Sequence, residues 1–351
     1  MLILLREGYP PNVLADFRAG YLGVGGGAAG IERGQLRPMT TRLAELFSQS
    51  NGAALLVVQQ GKVTVEHYAA GYDAGSAFNS FSMVKSLVGA LVLKALSEGK
   101  LSGLDQMLGE ALPAADGDVG KITLRELLDM KSGIDFEPSP MKEVSGIGEQ
   151  PFEAWPYNPF GPLARLHALG LDAVLPGLRV AQSERGKFMY QNINTALLGA
   201  VLEERYGEPL ADLLAEKIWR PAGAAAAHWR TYPASGKTTA YCCLFATASD
   251  WALVGRFLMR NGSDAPFLPD ELWQYWIGAD IAAADRAHGA YRAQMRYDIL
   301  DRPGEKLAGP FVYFLGQGGQ LVLMKPEDDL IVARFGDGGQ LIHSTLYEAV
   351  K

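Results

Sequence analysis

The stretch FNSFSMVKSLVGALVLKAL, Phe78 to Leu96, constrains the fold more than any other part of the chain. From Ser82 to Gly99 it has helical length and apolar residues on most sides, so the predicted helix has no face to leave in water. Such a helix belongs in the centre of a fold, with other layers packed around it. Glu98-Gly99-Lys100 supplies its C-terminal stop. A chain of 351 residues has enough interior to surround it.

The flanking segments predict those layers. AALLVVQQGKVTVEHYAAGY reads as two strands around Gln60-Gly61-Lys62, a β-hairpin. ITLRELLDMKSGI carries Thr123 as an N-cap, with Glu126 completing a capping box. Residues 135–188 are rich in Pro and Gly, the pattern of long loops that wall a pocket. NTALLGAVLEERYG and PLADLLAEKIWRPAG are helices, the second stopped by Pro221, and ATASDWALVGRFLMRNG is a third, capped by Thr247 or Ser249. VYFLGQ, GQLVLMKP and DLIVARFGD read as strands. The fold class predicted is α/β (α+β): an antiparallel sheet built from both chain ends, flanked by helices, with a mostly helical inserted region. The predicted division is an N-terminal arm over 1–40, an α/β domain over 41–120 and 241–351, and a mostly helical domain over 121–240.

Composition narrows the function. A net charge of −7 gives no reason to expect nucleic acid or an anionic membrane as partner. No run approaches the roughly 18 apolar residues of a membrane span. MLILLREGYPP lacks the basic start and long apolar core of a secretory signal, so the expected location is cytoplasmic, or periplasmic if a leader has been trimmed. Cys242 and Cys243 are adjacent and are expected to stay unpaired. His67, His167, His228, His288 and His343 are scattered without metal-ligand spacing, so neither a metal nor another cofactor is called for. The cluster GVGGGAAG follows no convincing strand and reads as a flexible arm rather than a dinucleotide loop. Ser235-Gly236-Lys237-Thr238-Thr239 resembles the tail of a P-loop, but Thr231 stands where that motif needs glycine, so a polar turn is expected.

The pattern S-x-x-K occurs at Ser82/Lys85, Ser97/Lys100 and Ser139/Lys142. Only the first opens a strongly apolar helix. There, three-residue spacing puts both side chains on one face, at the end where free N–H groups concentrate positive charge. A serine hydroxyl needs a neighbour to take its proton, and a lysine of ordinary pKa, about 10.4, is protonated at neutral pH. Burial disfavours the ammonium and turns lysine into a usable base. A Ser N-cap followed by a surface Lys fits this segment equally well. Tyr190-Gln191-Asn192, just before another helix, adds a phenol able to relay a proton and an amide able to orient lysine and substrate. Taken alone, it reads as a core Tyr and an Asn N-cap.

FSMVKSLVGALVLKAL, ITLRELLDMKSGI, YQNINTALLGAVLEERYGEPLADLLAEKIWRPAG, CCLFATASDWALVGRFL and GQGGQLVLMKPEDDLIVARFGD together resemble, in order, the serine β-lactamase and penicillin-binding-protein superfamily. They look most like the class C-related branch of family VIII esterases and 6-aminohexanoate-dimer hydrolases. The resemblance spans roughly Ala53 to Asp337 and implies a β-lactamase/transpeptidase-like fold. It implies Ser82 as acylated nucleophile, Lys85 as its base, Tyr190 as proton relay and Asn192 as the second-motif amide. The third motif aligns with Phe314-Leu315-Gly316, lining the pocket, and the N–H groups of Ser82 and Gln317 would form the oxyanion hole. Phe314 replaces the Lys or His that helps hold a carboxylate in antibiotic-binding members. Arg334 could supply a cation instead, but its strand position fits a surface or structural role at least as well. The expected activity is therefore hydrolysis of neutral carboxylic esters or small linear amides through an acyl-enzyme. A β-lactamase, D,D-peptidase or acyltransferase using the same residues is the alternative, and a non-catalytic sensor on the same fold is the competing class. The expected partner is a small-molecule ester or amide, and a homodimer is left open.

Overall fold

The computed structural model describes residues 20–27, 30–136, 161–287, 289–298, 310–338 and 342–351. Ser139/Lys142, His288, the side chain of His343 and the stretch 137–160 of the expected loops lie outside the described residues. Twelve strands form among the described residues: β1 (Tyr21–Val24), β2 (Glu32–Arg33), β3 (Gly52–Gln59), β4 (Lys62–Tyr68), β5 (Ala77–Asn79), β6 (Ala227–Arg230), β7 (Leu244–Thr247), β8 (Ala290–Arg292), β9 (Met295–Asp298), β10 (Phe311–Gly316), β11 (Gln320–Lys325) and β12 (Leu330–Gly336). The helices that matter below are α1 (Thr41–Gln49), α2 (Val84–Ser97), α3 (Leu124–Leu128), α4 (Asn192–Tyr206), α5 (Ala248–Met259) and α6 (Ile342–Val350).

The chain divides into two compact units. One is built mainly from Val88–Ala211 and Trp229–Tyr241, the other from Gly23–Leu87, Asp212–His228 and Cys242–Lys351. The second unit holds an eight-stranded sheet in the order β2-β4-β3-β12-β11-β10-β9-β8. Its centre joins sequence ends: β12 lies antiparallel to β3, with Ile331 opposite Val58 and Phe335 opposite Ala54. The hairpin β3–β4 turns through Gln60 and Gly61, both at positive φ (50° and 78°), the pair of left-handed residues a two-residue hairpin loop needs. The edge pair β2–β4 is parallel, so the sheet is mixed there.

Both faces of this sheet are covered, which is why β3, β11 and β12 read as nearly continuous apolar runs. On one face Leu43 and Phe47 of α1 and Leu346 and Ala349 of α6 pack with Leu55, Val57, Leu323 and Val332. On the other, α5 comes so close that a Cβ on Gly255 would sit 2.7 Å from Val322 Cγ1. Thr247 caps α5, its Oγ1 accepting from Asp250 N while the Asp250 carboxylate accepts in return.

Cys242 and Cys243 are bonded to each other, contrary to the expectation that adjacent cysteines stay apart. The pairing goes with a left-handed backbone at Cys243 (φ 74°), and it closes no loop between distant parts of the chain.

In the first unit α4 is buried from Ile193 to Leu202 except at Ala200, and it carries Gly199 where a Cβ would lie 2.5 Å from that of Ala240. The capping box of α3 forms as its sequence predicts. Glu126 N donates to Thr123 Oγ1 (3.2 Å) and Thr123 N to Glu126 Oε2 (2.8 Å). Arg185 adds a two-pronged ion pair to the same carboxylate, at 2.7 and 2.9 Å. Burial alone would raise the Glu126 pKa, but the bonds from Arg185 and Thr123 hold it below the usual carboxylate value. A carboxylate with a depressed folded pKa contributes stability above its unfolded pKa and loses it as pH falls through the folded one. Thr123→Ala is expected to lower stability by about 1 kcal/mol in chemical denaturation at pH 7. Glu126→Gln should flatten part of the decline that wild type shows as pH drops below 4.5, and an unchanged acid profile would remove Glu126 from that account.

Candidate active site

Ser82 does not begin the long helix but sits in a single 3-10 turn, Phe81–Met83, directly ahead of α2. The turn is held from several sides. Phe81 N donates to Asn79 Oδ1 (2.9 Å), Ser80 N to Leu244 O (2.9 Å), Leu244 N to Ser80 Oγ (3.0 Å) and Cys243 N to Phe81 O (3.3 Å). These bonds keep Phe81 at φ 44°, a left-handed conformation that a bulky side chain adopts only when its surroundings impose it. Ser82 is half-buried, whereas Lys85 is 1% exposed. Lys85 Nζ lies 2.9 Å from Ser82 Oγ. At that distance an ammonium donates to the hydroxyl and a free amine accepts its proton.

The third-motif strand reaches the same turn. Leu315 packs toward the α1/α6 layer, so alternation puts Phe314 and Gly316 on the opposite face. A Cβ on Gly316 would meet Ser80 O at 2.2 Å and Phe81 Cβ at 3.2 Å. Only glycine lets the strand end lie this close to the serine turn. Gln317 then opens the 3-10 turn Gln317–Gly319, and as its first residue has no acceptor for its N–H within that turn. Phe314 departs from expectation: its ring is fully buried against Trp276, with centroids 6.3 Å apart, and lines the core rather than an open pocket.

Tyr190 and Asn192 belong to the other unit. Met189 N donates to Met130 O (2.7 Å) and Gln191 Nε2 to Ile134 O (2.8 Å), fixing the backbone on either side of Tyr190. Gln191, not Asn192, occupies the N-cap position of α4, and Asn192 is its first residue. Both Tyr190 and Asn192 are half-buried.

The look-alike motifs fall into ordinary roles. Ser97 Oγ donates to Lys94 O at a helix end, and Lys100 lies over the Tyr206 ring. Lys237 pairs with Asp172 at 3.1 Å. Asn79, Ser80 and Gln320 were not picked out as site residues by sequence reasoning, because their importance comes from pairing with β7 and the β10–β11 turn. Among the described residues no cluster of three or more His, Cys, Asp and Glu is placed to hold a metal, and no helix is long and apolar enough to cross a membrane.

Residues 40–341 match the family model described as Beta-lactamase. The chain belongs to the beta-lactamase family. A curated relative of this family member, the 6-aminohexanoate-dimer hydrolase of Paenarthrobacter ureafaciens, is 27% identical over 72% of this chain and 63% of its own length. The chain thus spans less than two thirds of that relative. A Bacillus anthracis structure provisionally named a 6-aminohexanoate-dimer hydrolase superimposes with a TM-score of 0.76 at 20% identity, over 96% of this chain and 91% of the other. EstCE1, a hydrolase with promiscuous acyltransferase activity, gives 0.66 at 16% identity over 88% and 96%. These structures establish the β-lactamase/transpeptidase-like fold.

The close approach at Gly316 makes a direct prediction. Gly316→Ala is expected to lose about 1–3 kcal/mol of stability, the usual range for overpacking. A denaturation midpoint equal to wild type would show that the strand end can withdraw from Ser80 freely.

Proposed function

We infer that the protein is a serine hydrolase that cleaves neutral carboxylic esters or small linear amides through an acyl-enzyme on Ser82. One observation carries the reading: the Lys85 amine, almost wholly buried, lies 2.9 Å from the Ser82 hydroxyl. Lys85 takes the Ser82 proton as Oγ bonds to the substrate carbonyl carbon. The oxyanion is held by the N–H groups of Ser82 and Gln317. The bond to the leaving alcohol or amine then breaks, with its proton delivered through Tyr190 from Lys85. Asn192 orients the lysine and the substrate carbonyl. Water attacks the ester, the proton path runs in reverse, and Ser82 is restored. The roles of Tyr190, Asn192 and Gln317 rest on the family pattern that these positions match.

Substrate preference rests on Phe314. A buried phenyl ring offers nothing to a carboxylate, which favours neutral acyl groups over β-lactams and D-Ala-D-Ala peptides. The relatives include a 6-aminohexanoate-dimer hydrolase and EstCE1, a hydrolase with promiscuous acyltransferase activity, which fits acyl-transfer chemistry.

A fluorophosphonate probe tests the nucleophile: wild type should label, and Ser82→Ala should not. Failure of folded wild type to label would favour the ligand-binding sensor instead. With p-nitrophenyl esters, Lys85→Ala and Tyr190→Phe should each lower turnover at least about a hundredfold, the scale of general-base loss. A near-normal rate in either variant removes that residue from the mechanism. In a substrate panel followed by intact-mass detection, esters and short amides should acylate faster than a chromogenic cephalosporin, and the reverse order would overturn the preference.

A further inference from the structure

Arg334, on β12, is 1% exposed. Its Nη1 donates to Gly318 O at 2.8 Å and Gly319 O at 2.9 Å. Its Nη2 donates to Ser50 O and, at 3.1 Å, to Ser50 Oγ. Among the described residues none of its hydrogen-bond partners is a carboxylate. Burial brings its pKa down to about 10, with Asp337 acting in the opposite direction. A cation kept dry in this way is costly unless its donors meet fixed acceptors.

Two of the acceptors it meets, the Gly318 and Gly319 carbonyls, belong to a turn with little rigidity of its own. Gly318 and Gly319 have φ of 71° and 78°, conformations that glycine visits without locking into them. The turn is fixed upstream where Gly316 abuts Ser80 O. Downstream, Gln320 Nε2 donates to Gln317 O (3.1 Å) and to Gly336 O, and its Oε1 accepts from Gly336 N (3.2 Å). The flat guanidinium reaches two successive carbonyls and the end of α1 at once, which a single ammonium cannot do.

We propose that Arg334 is a positioning residue for acyl transfer: by holding the Gly318 and Gly319 carbonyls it sets the turn that begins at Gln317, and so aims the Gln317 N–H at the oxyanion. The proposal rests on the hydrolase reading for its catalytic consequence, but the clamp itself is testable without turnover.

Two measurements on Arg334→Met, Arg334→Lys and Gln320→Met separate the two levels. In hydrogen exchange, Arg334→Met should speed exchange in peptides covering 316–320 while those of β3 stay protected. Unchanged exchange there overturns the proposal whether or not the protein is active. In kinetics, displacing one oxyanion donor should lower kcat at least roughly tenfold with little change in KM. The loss should be larger for an oxygen ester than for the matching thionoester, whose sulfur gains less from N–H donors, and Arg334→Lys should recover only part of it. Equal losses for both esters would mean a purely structural role and overturn the proposal. Should Arg334→Met fail to fold, Gln320→Met loosens the same turn from its other side and is read by the same exchange pattern and ester ratio. Wild type that turns over no ester while its 316–320 exchange responds to Arg334 would count against the hydrolase reading and leave the clamp standing.

Discussion

The structure is organised around an amine held out of water beside a hydroxyl. Lys85 is buried because α2 is apolar on nearly every side, so the residues that force the helix inward also remove solvent from its one lysine near the N-terminal end. Losing hydration disfavours the charged amine, and Ser82 Oγ lies within its reach at 2.9 Å. The proposed chemistry and the packing therefore have a common cause. A more amphipathic helix would fold with its lysine in solvent, and the hydroxyl would then have no buried amine beside it.

The sheet supplies the second half of that arrangement. β10 comes beside the Ser82 turn only because β3, β12, β11 and β10 are laid side by side in register. Gly316 ends that strand with no side chain, and the serine turn answers with a positive-φ Phe81 held by Asn79 and Ser80. Ser80 has a double duty: its backbone and its hydroxyl both bond Leu244, tying the turn to β7. Strain at Phe81 persists because the neighbouring hydrogen bonds overdetermine it.

How much of this was legible follows the range of the interactions. The Ser82/Lys85 pair, the β3–β4 turn and the Thr123 capping box depend on residues within a few positions of each other, and each forms as the sequence predicts. The pairing of β12 with β3 joins segments more than 270 residues apart in the chain, and only strand patterns at both ends hinted at it. The helix start was misplaced by two residues because a 3-10 turn and an α-helical turn share the same local pattern. Phe314 looked like a pocket wall because its packing partner Trp276, some 38 positions away in the chain, does not show in the local pattern. The Cys242–Cys243 bond escaped for a related reason: it needs a backbone conformation at Cys243 that residue type does not announce.

Arg334 shows how placement decides what a charge can do. As a letter in the sequence it was a candidate cation for a substrate carboxylate, standing in for the residue that Phe314 replaces. In the fold its Nη1 and Nη2 groups point at main-chain oxygens of Gly318, Gly319 and Ser50, and its side chain is closed off from solvent. A guanidinium committed to carbonyls in this way cannot also grip a ligand carboxylate without abandoning buried acceptors, each of which would be left unsatisfied at about 1–3 kcal/mol. The two features of the third motif thus point in one direction. The Phe314 ring offers no charge to an anion, and Arg334, the cation on β12, is held by the turn it supports.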